Sequence, residues 1–188
     1  MKKDGFSLIE LLVVMIILGI VASLGTVSFT GWVRKHDLES QVKETYTDLM
    51  NARLTAMHQN RTRFITLSTN QLRAYEDNDP APSGDGALTI GSDNSLCMWE
   101  RKHDDPADAT CPGNGSLSYK NLKFPASWSG TTTLEFNARG LSNTNNTICV
   151  FSNHNPSYDC IVISATRIRM GKLINQSGCN SGNCEPKK

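Results

Sequence analysis

Charged residues are missing from a long stretch near the start of this sequence, since none occurs between Leu11 and Phe29. Proline, which breaks helices, is missing from Phe6 to Asn60. The first absence excludes an ordinary surface helix for this stretch, and the second permits one uninterrupted helix of about 55 residues.

Strong net charge and enzyme motifs are missing as well. The chain has 19 basic and 18 acidic residues, so its charge of +1 points to no particular partner. It contains no nucleophile elbow, phosphate loop or close acid/base pair. No Cys-x-x-Cys pair occurs, and His36, His58, His103 and His154 show no ligand spacing for zinc. We therefore predict neither an enzyme nor a bound cofactor or metal.

The uncharged stretch follows a short basic start and contains one acid near its beginning. Phe6 to Phe29 comprises 24 residues, or about 36 Å of helix, enough to cross a bilayer core of about 30 Å. Lys2 and Lys3 precede it, which predicts a cytoplasmic start and an external remainder. A secretory signal peptide or a plain anchor would not explain Glu10, because a carboxylate in hydrocarbon is costly without a partner.

The segment from Gly5 to Glu10, with the apolar run behind it, resembles the start of a type IV prepilin. The resemblance implies that a prepilin peptidase cuts between Gly5 and Phe6 and that the new N-terminal Phe6 is methylated. It also implies that Glu10 contacts the amino group of a neighbouring subunit during assembly at an inner-membrane platform. Removing the leader takes away two lysines and one aspartate, which leaves 17 basic and 17 acidic residues.

Beyond the apolar run the pattern becomes one-sided, which predicts an amphipathic helix packed on a head. The recurring apolar positions are Leu38, Val42, Tyr46, Leu49, Ala52 and Ala56. From Arg63 onwards short β-prone runs separated by turn residues predict an antiparallel sheet. The predicted strands are Phe64–Leu67 and Leu72–Tyr75 as a hairpin, then Ala87–Ile90, Leu96–Trp99, Ser116–Tyr119, Thr131–Phe136, Thr147–Phe151, Asp159–Ile163 and Arg167–Met170.

Six cysteines follow the apolar run, and an even number in an exported domain suggests disulfides. Six cysteines allow 15 pairings. Proximity in sequence favours Cys97 with Cys111, Cys149 with Cys160, and Cys179 with Cys184.

Three further segments resemble minor pilins and pseudopilins of the GspH/FimT type. Asn51–Met57 with the strand after it resembles the helix-to-strand junction of that family, and Phe136–Leu141 resembles its strand and glycine turn. Arg167–Arg169 resembles its C-terminal segment, with Thr166 in place of a glycine. Independently of the family, Gly140 should adopt a positive φ in a turn.

Two charged clusters suggest ligands. Arg167 and Arg169 should project from the same side of a strand, with Lys172 nearby, and could neutralise DNA phosphates; in FimT-like minor pilins this segment is associated with DNA capture. An ordinary solvated sheet surface is the alternative. The acidic run Glu76–Asp79 could bind Ca²⁺, although it lacks EF-hand spacing and suits a solvated loop better. Arg53 should pair with a carboxylate or a sheet edge, or lie on a solvated face.

Together these features predict an α+β, pilin-like fold in which a long N-terminal helix packs on an antiparallel β-sheet head. The predicted parts are a leader (1–5), a transmembrane helix half (6–30), an amphipathic half (31–60), a β-rich head (61–174) and a disulfide-looped tail (175–188). The predicted protein is single-pass in the inner membrane, with a periplasmic head, and later joins a filament of other pilins. The alternatives to a type IV pilus subunit are the H pseudopilin of a type II secretion system and a DNA-binding minor pilin for natural transformation.

Overall fold

The computed structural model describes residues 7–78, 84–95 and 119–187, and for 22–29 and 94–95 it describes the backbone only. One helix, α1, spans Leu8–Gln59. It begins after Ser7, and Asn60 closes it in the left-handed conformation with φ of 53°. The predicted single helix is therefore confirmed. Across the ranges described, no helix combines the length and the apolar character needed to cross a membrane.

The first sheet continues directly from the helix. Its strands are β1 (Arg63–Ser68), β2 (Gln71–Glu76), β3 (Asn94–Ser95), β4 (Tyr119–Asn121) and β6 (Thr133–Phe136). The order is β3-β2-β1-β6, and β4 pairs with β2 beside β3. The predicted hairpin is confirmed, because β1 and β2 pair in antiparallel register from Arg63 opposite Glu76 to Ser68 opposite Gln71.

The second sheet lies later in the chain and is also antiparallel. It contains β5 (Ser127–Ser129), β7 (Asn146–Cys149), β8 (Cys160–Ile163), β9 (Ile168–Leu173) and β10 (Cys184–Pro186), in the order β10-β9-β8-β7-β5. The sequence missed β5 and β10 because both are three-residue strands with too few apolar residues to show a period.

One hydrophobic core joins α1 to both sheets. The helix contributes its predicted stripe, in which Leu38 and Leu49 are fully buried. Ile65 and Leu134 come from the first sheet, and Ile161 from the second. The α+β architecture is thus as predicted, with two sheets rather than one covering the second half of the helix.

The predicted disulfide pairing is wrong for four of the cysteines. Cys149 is bonded to Cys179, with 5.7 Å between their Cα atoms, and Cys160 is bonded to Cys184, with 6.0 Å. Proximity in sequence failed because β10 brings the tail back onto the second sheet. The tail is therefore fastened to the sheet instead of being closed on itself. Cys97 and Cys111 lie outside the described residues.

One other strand prediction is wrong, and two lie wholly or partly outside the described residues. Ala87–Ile90 forms no strand, because this segment bends and makes only an isolated bridge between Ile90 and Asp93. Leu96–Trp99 lies outside the described residues, as do Ser116–Ser118 of the next predicted strand.

Candidate assembly interface and basic strand

The N-terminal part of α1 presents an apolar surface that the head does not cover. Every side chain from Ser7 to Val21 is exposed, including Leu8 at 83% and Leu18 at 57%. An exposed apolar surface of this extent indicates an interaction site. It is continuous with the helix that holds the head, so whatever covers it is mechanically coupled to the head.

Glu10 is the acid in the first turn of this apolar segment. Its side chain is exposed among Ile9 and Leu11, and the backbone N–H of Glu10 donates to the carbonyl of Ser7 at 3.0 Å. The first turn favours a carboxylate, since the free N–H groups there carry partial positive charge. Once a partner covers the apolar side chains around it, Glu10 requires a cation or a donor within reach.

Several polar contacts fasten the head to the second half of α1. Glu39 accepts from the backbone N–H of Ser157 at 2.6 Å, and Arg53 donates to the carbonyl of Thr166 at 2.8 Å. Gln41 pairs twice with Phe124, its side-chain N–H donating to the carbonyl at 2.8 Å and its Oε1 accepting the backbone N–H at 2.7 Å. Lys120 Nζ contacts two carboxylates of the helix, Asp48 Oδ2 at 2.7 Å and Glu44 Oε2 at 3.2 Å.

These contacts and burial change the acidity of three carboxyl groups. Partial burial acts to raise the pKa of Glu39, but the hydrogen bonds from Ser157 and the nearby lysines lower it overall. Burial raises the pKa of Asp48 despite its bond to Lys120. Burial also raises the pKa of Asp159, which is fully buried and accepts from the backbone N–H of Leu173.

Gly140 sits where the turn after β6 touches the helix. Its φ is +70°, as predicted, and an added Cβ would lie 2.4 Å from the sulfur of Met57. Arg53, one turn earlier on the helix, reaches Thr166 in the turn before β9. The partner of Arg53 is thus neither of the two predicted, a carboxylate or a sheet edge, but the carbonyl of a turn between two inner strands.

The basic segment around β9 is partly as the strand period predicted. Arg167 and Arg169 are exposed, while Ile168 between them is buried, with an exposed fraction of 7%. Lys172 does not share their face, because it lies three residues from Arg169 on a strand. Its Nζ donates to Oδ1 of Asn155 at 2.5 Å. The cluster that faces solvent together is therefore the arginine pair.

The acidic run after β2 is used for internal contacts. Both carboxylate oxygens of Glu76 accept from arginines, Arg61 at 2.6 Å and Arg63 at 3.1 Å. The carboxylate of Asp77 accepts the backbone N–H groups of Asp85 and Gly86 at 3.1 and 2.8 Å. Asp79 lies outside the described residues, and those that are described contain no cluster of ligands for a metal ion.

Sequence reasoning missed Gln41 and Asp159 as contact residues. A polar residue on the predicted buried side of α1, next to Val42, was the available signal for Gln41, since buried polar groups need hydrogen-bond partners. Asp159 gave no comparable signal, because its burial depends on β9, the neighbouring strand, which lies later in the sequence.

Comparisons with known proteins find a family match at the N-terminus. Residues 1–26 match the family described as the prokaryotic N-terminal methylation motif, and the match includes Gly5, Phe6 and Glu10. No curated protein matches the chain. Two crystal structures of the type IV minor pilin FimU of Pseudomonas aeruginosa, in space groups P21 and P65, align with it at 18% identity. The alignments cover 80% and 76% of this chain and 97% of FimU, with TM-scores of 0.46 and 0.44. The motif match supports the resemblance to type IV prepilins.

Proposed function

We propose that this protein is a minor pilin that assembles into a type IV pilus through its N-terminal helix. The observation that supports the proposal is the methylation motif at residues 1–26, placed at the start of a helix whose side chains from Ser7 to Val21 are all exposed. A prepilin peptidase would cut between Gly5 and Phe6, and Phe6 would then be methylated. The exposed apolar side chains would lie in the inner membrane before assembly and against other subunits after it.

Glu10 would set the depth at which one subunit stacks on the next. An apolar helix can slide along another with little change in energy, whereas one carboxylate facing one amino group selects a single position. The polar contacts from Glu39 to Arg53 would then fix the head at a constant height above that position.

The test is to replace Glu10 with glutamine, which keeps the shape and removes the charge. The full-length variant should be processed normally, with the mature mass beginning at methylated Phe6, but should be missing from sheared filaments. The matched control is Glu185→Gln, which removes an exposed carboxylate from β10. Normal incorporation of the Glu10 variant would refute the role of Glu10, and an unprocessed N-terminus in the wild type would refute the proposal itself.

The same apolar helix and methylation motif suit the H pseudopilin of a type II secretion system. The two assignments differ in the phenotype of a deletion strain. Loss of surface filaments with normal secretion of folded proteins supports the pilus, and the reverse result supports the secretion system.

A second candidate function is DNA binding by the head, which the exposed pair Arg167 and Arg169 favours. Two guanidinium groups on one face, separated by a buried Ile168, can contact phosphates without reading base sequence. The turn before β9, which carries Arg167, is held to α1 through Thr166, and Arg169 lies on the strand that follows.

The DNA hypothesis is tested by the salt dependence of duplex binding. Replacing Arg167 and Arg169 with alanine should make the slope of log K against log salt less steep by about 2. The control replaces Arg34 and Arg139, which are also exposed and lie elsewhere on the molecule. Equal effects of the two double variants would show that only net charge matters and would contradict a site on β9.

A further inference from the structure

The two described disulfides are interleaved along the chain. Cys160 lies inside the segment closed by Cys149 and Cys179, and Cys179 lies inside the segment closed by Cys160 and Cys184. Neither bond joins cysteines that are neighbours in sequence. The native separations are 30 and 24 residues, and short loops close at lower entropic cost than long ones.

The structure places a competing pair face to face. Cys149 on β7 is directly opposite Cys160 on β8. Val150 N–H donates to the carbonyl of Asp159 at 2.8 Å, which makes that neighbouring pair a hydrogen-bonded one. Cys149 and Cys160 therefore form a non-hydrogen-bonded pair, in which Cα atoms lie about 4.5 Å apart. That distance lies at the short end of the range that disulfides accept, about 4.4 to 6.8 Å.

The competing bond can form before the native ones become possible. The β7–β8 hairpin needs only residues up to Ile163, and hairpins form in microseconds. The native bonds need β9 and β10 in place, since Cys184 pairs in register with Leu173 of β9. A bond between Cys149 and Cys160 would leave Cys179 and Cys184 to pair in the tail.

The native bond between Cys160 and Cys184 crosses β9 at a glycine. Gly171 of β9 is opposite Cys160 in the ladder. A Cβ added at Gly171 would lie 2.5 Å from the carbonyl oxygen of Glu185 and 2.9 Å from the sulfur of Cys184. The side chain of Cys184 on β10 must therefore cross Gly171 to reach Cys160 on β8, and this requires β10 to be paired with β9. Docking also buries three of the four sulfur-bearing residues, since Cys149, Cys160 and Cys184 are each exposed by 2% or less, while Cys179 is partly buried.

We propose that this head is a substrate of a thiol–disulfide isomerase, which converts Cys149–Cys160 and Cys179–Cys184 into the native pairs. The proposal goes beyond assembly and does not depend on it. The enzyme acts while the tail is undocked and the non-native bonds are accessible, and it no longer reaches Cys149, Cys160 and Cys184 once docking has buried them.

The conversion is redox-neutral, since every step exchanges one thiolate for another. The thiolate of the isomerase attacks Cys160 in the Cys149–Cys160 bond, forming a mixed disulfide and releasing the thiolate of Cys149. That thiolate attacks Cys179, forming Cys149–Cys179 and releasing Cys184. The Cys184 thiolate then attacks Cys160 of the mixed disulfide, forming Cys160–Cys184 and regenerating the isomerase thiolate.

The test is oxidative refolding of the reduced full-length chain in detergent micelles with a glutathione buffer, followed by alkylation at intervals and mass spectrometry. Trypsin cuts neither between Cys149 and Cys160 nor between Cys179 and Cys184, because no lysine or arginine lies inside those segments. The non-native pairs therefore remain inside two separate peptides, Gly140–Arg167 and Leu173–Lys187. The native pairs link these two peptides. Chymotryptic cleavage after Tyr158 then separates Cys149 from Cys160, and fragmentation of the tail peptide between Cys179 and Cys184 in the mass spectrometer assigns each bond.

We expect the separate, internally bonded peptides to accumulate first, and a catalytic amount of purified protein disulfide isomerase to speed their conversion about tenfold or more. The matched control is the double variant Cys160→Ser with Cys184→Ser, which retains Cys149 and Cys179 but cannot form the competing bond. Its Cys149–Cys179 bond should form directly, without a phase of rearrangement for the isomerase to accelerate. The proposal is overturned if linked peptides appear first in the wild type, if another pairing among Cys149, Cys160, Cys179 and Cys184 accumulates first, or if the isomerase leaves the rate of conversion unchanged.

Discussion

Gln41 joins the helix to the head through a pair of hydrogen bonds that mimics the edge of a β-ladder. Its side-chain amide both donates to and accepts from the backbone of Phe124, at 2.8 and 2.7 Å, and Gln41 is only 6% exposed. Replacing Gln41 with methionine keeps the length of the side chain and removes both the donor and the acceptor. The substitution therefore isolates the polar contact from the packing.

The expected loss follows from these two bonds. Each contributes about 1 kcal/mol, and a backbone group left without a partner in a partly buried position costs about 1–3 kcal/mol. Some of the freed groups will reach water, so we expect the free energy of unfolding to fall by about 2–4 kcal/mol. That is a large share of the 5–15 kcal/mol typical of a folded domain.

Urea unfolding of the full-length chain in detergent, followed by circular dichroism and tryptophan fluorescence, measures this loss. With a slope of about 2 kcal/mol per molar urea, the midpoint should fall by about 1–2 M. The control is Asn51→Ala, which removes an exposed amide from the same helix and should change stability by less than about 0.5 kcal/mol. A Gln41 variant as stable as the control would refute the claim that this contact fastens the head.

Two other substitutions test the packing and the pH dependence. Gly140→Ala should lower the free energy of unfolding in urea by about 1–3 kcal/mol, because φ is +70° and the new Cβ would meet Met57. Adding Met57→Ala should restore only the part of this loss that is steric. Full restoration would contradict the argument from the backbone conformation. For Asp159, burial raises the pKa above the ordinary value of 3.8, so the folded protein holds a proton that the unfolded chain releases as the pH rises. Stability relative to Asp159→Asn should therefore fall by about 1.4 kcal/mol per pH unit above about pH 4 and become constant above the folded pKa, whereas a constant difference from pH 4 to 7 would refute the shift.

Much of the helix and of the first sheet followed from local sequence. The apolar stripe from Leu38 to Ala56 faces the core, and the hairpin of β1 and β2 forms within residues 63–76. Gly140 has the positive φ that its place after β6 required. Each of these features depends on residues close together in the chain, where the period of side-chain direction and the preferences of turns act directly.

The residues of the candidate site also fall into two groups, those that local sequence predicts and those whose contacts depend on the fold. The N-terminal motif with Gly5, Phe6 and Glu10 is contiguous, so it is legible without a fold. The exposure of Arg167 and Arg169 on either side of a buried Ile168 followed from the strand period, whereas the contact of Lys172 with Asn155 did not, because Asn155 comes from a loop 17 residues earlier.

The sequence by itself determined where the helix runs, which of its sides is apolar and where the acid sits within the apolar segment. Only the tertiary structure decided that Gln41 meets Phe124, 83 residues away, and that Cys149 and Cys160 bond to the tail instead of to each other. The physical reason is that local preferences are fixed by neighbours in the chain, whereas the choice among distant partners depends on how the strands stack and on what their stacking buries.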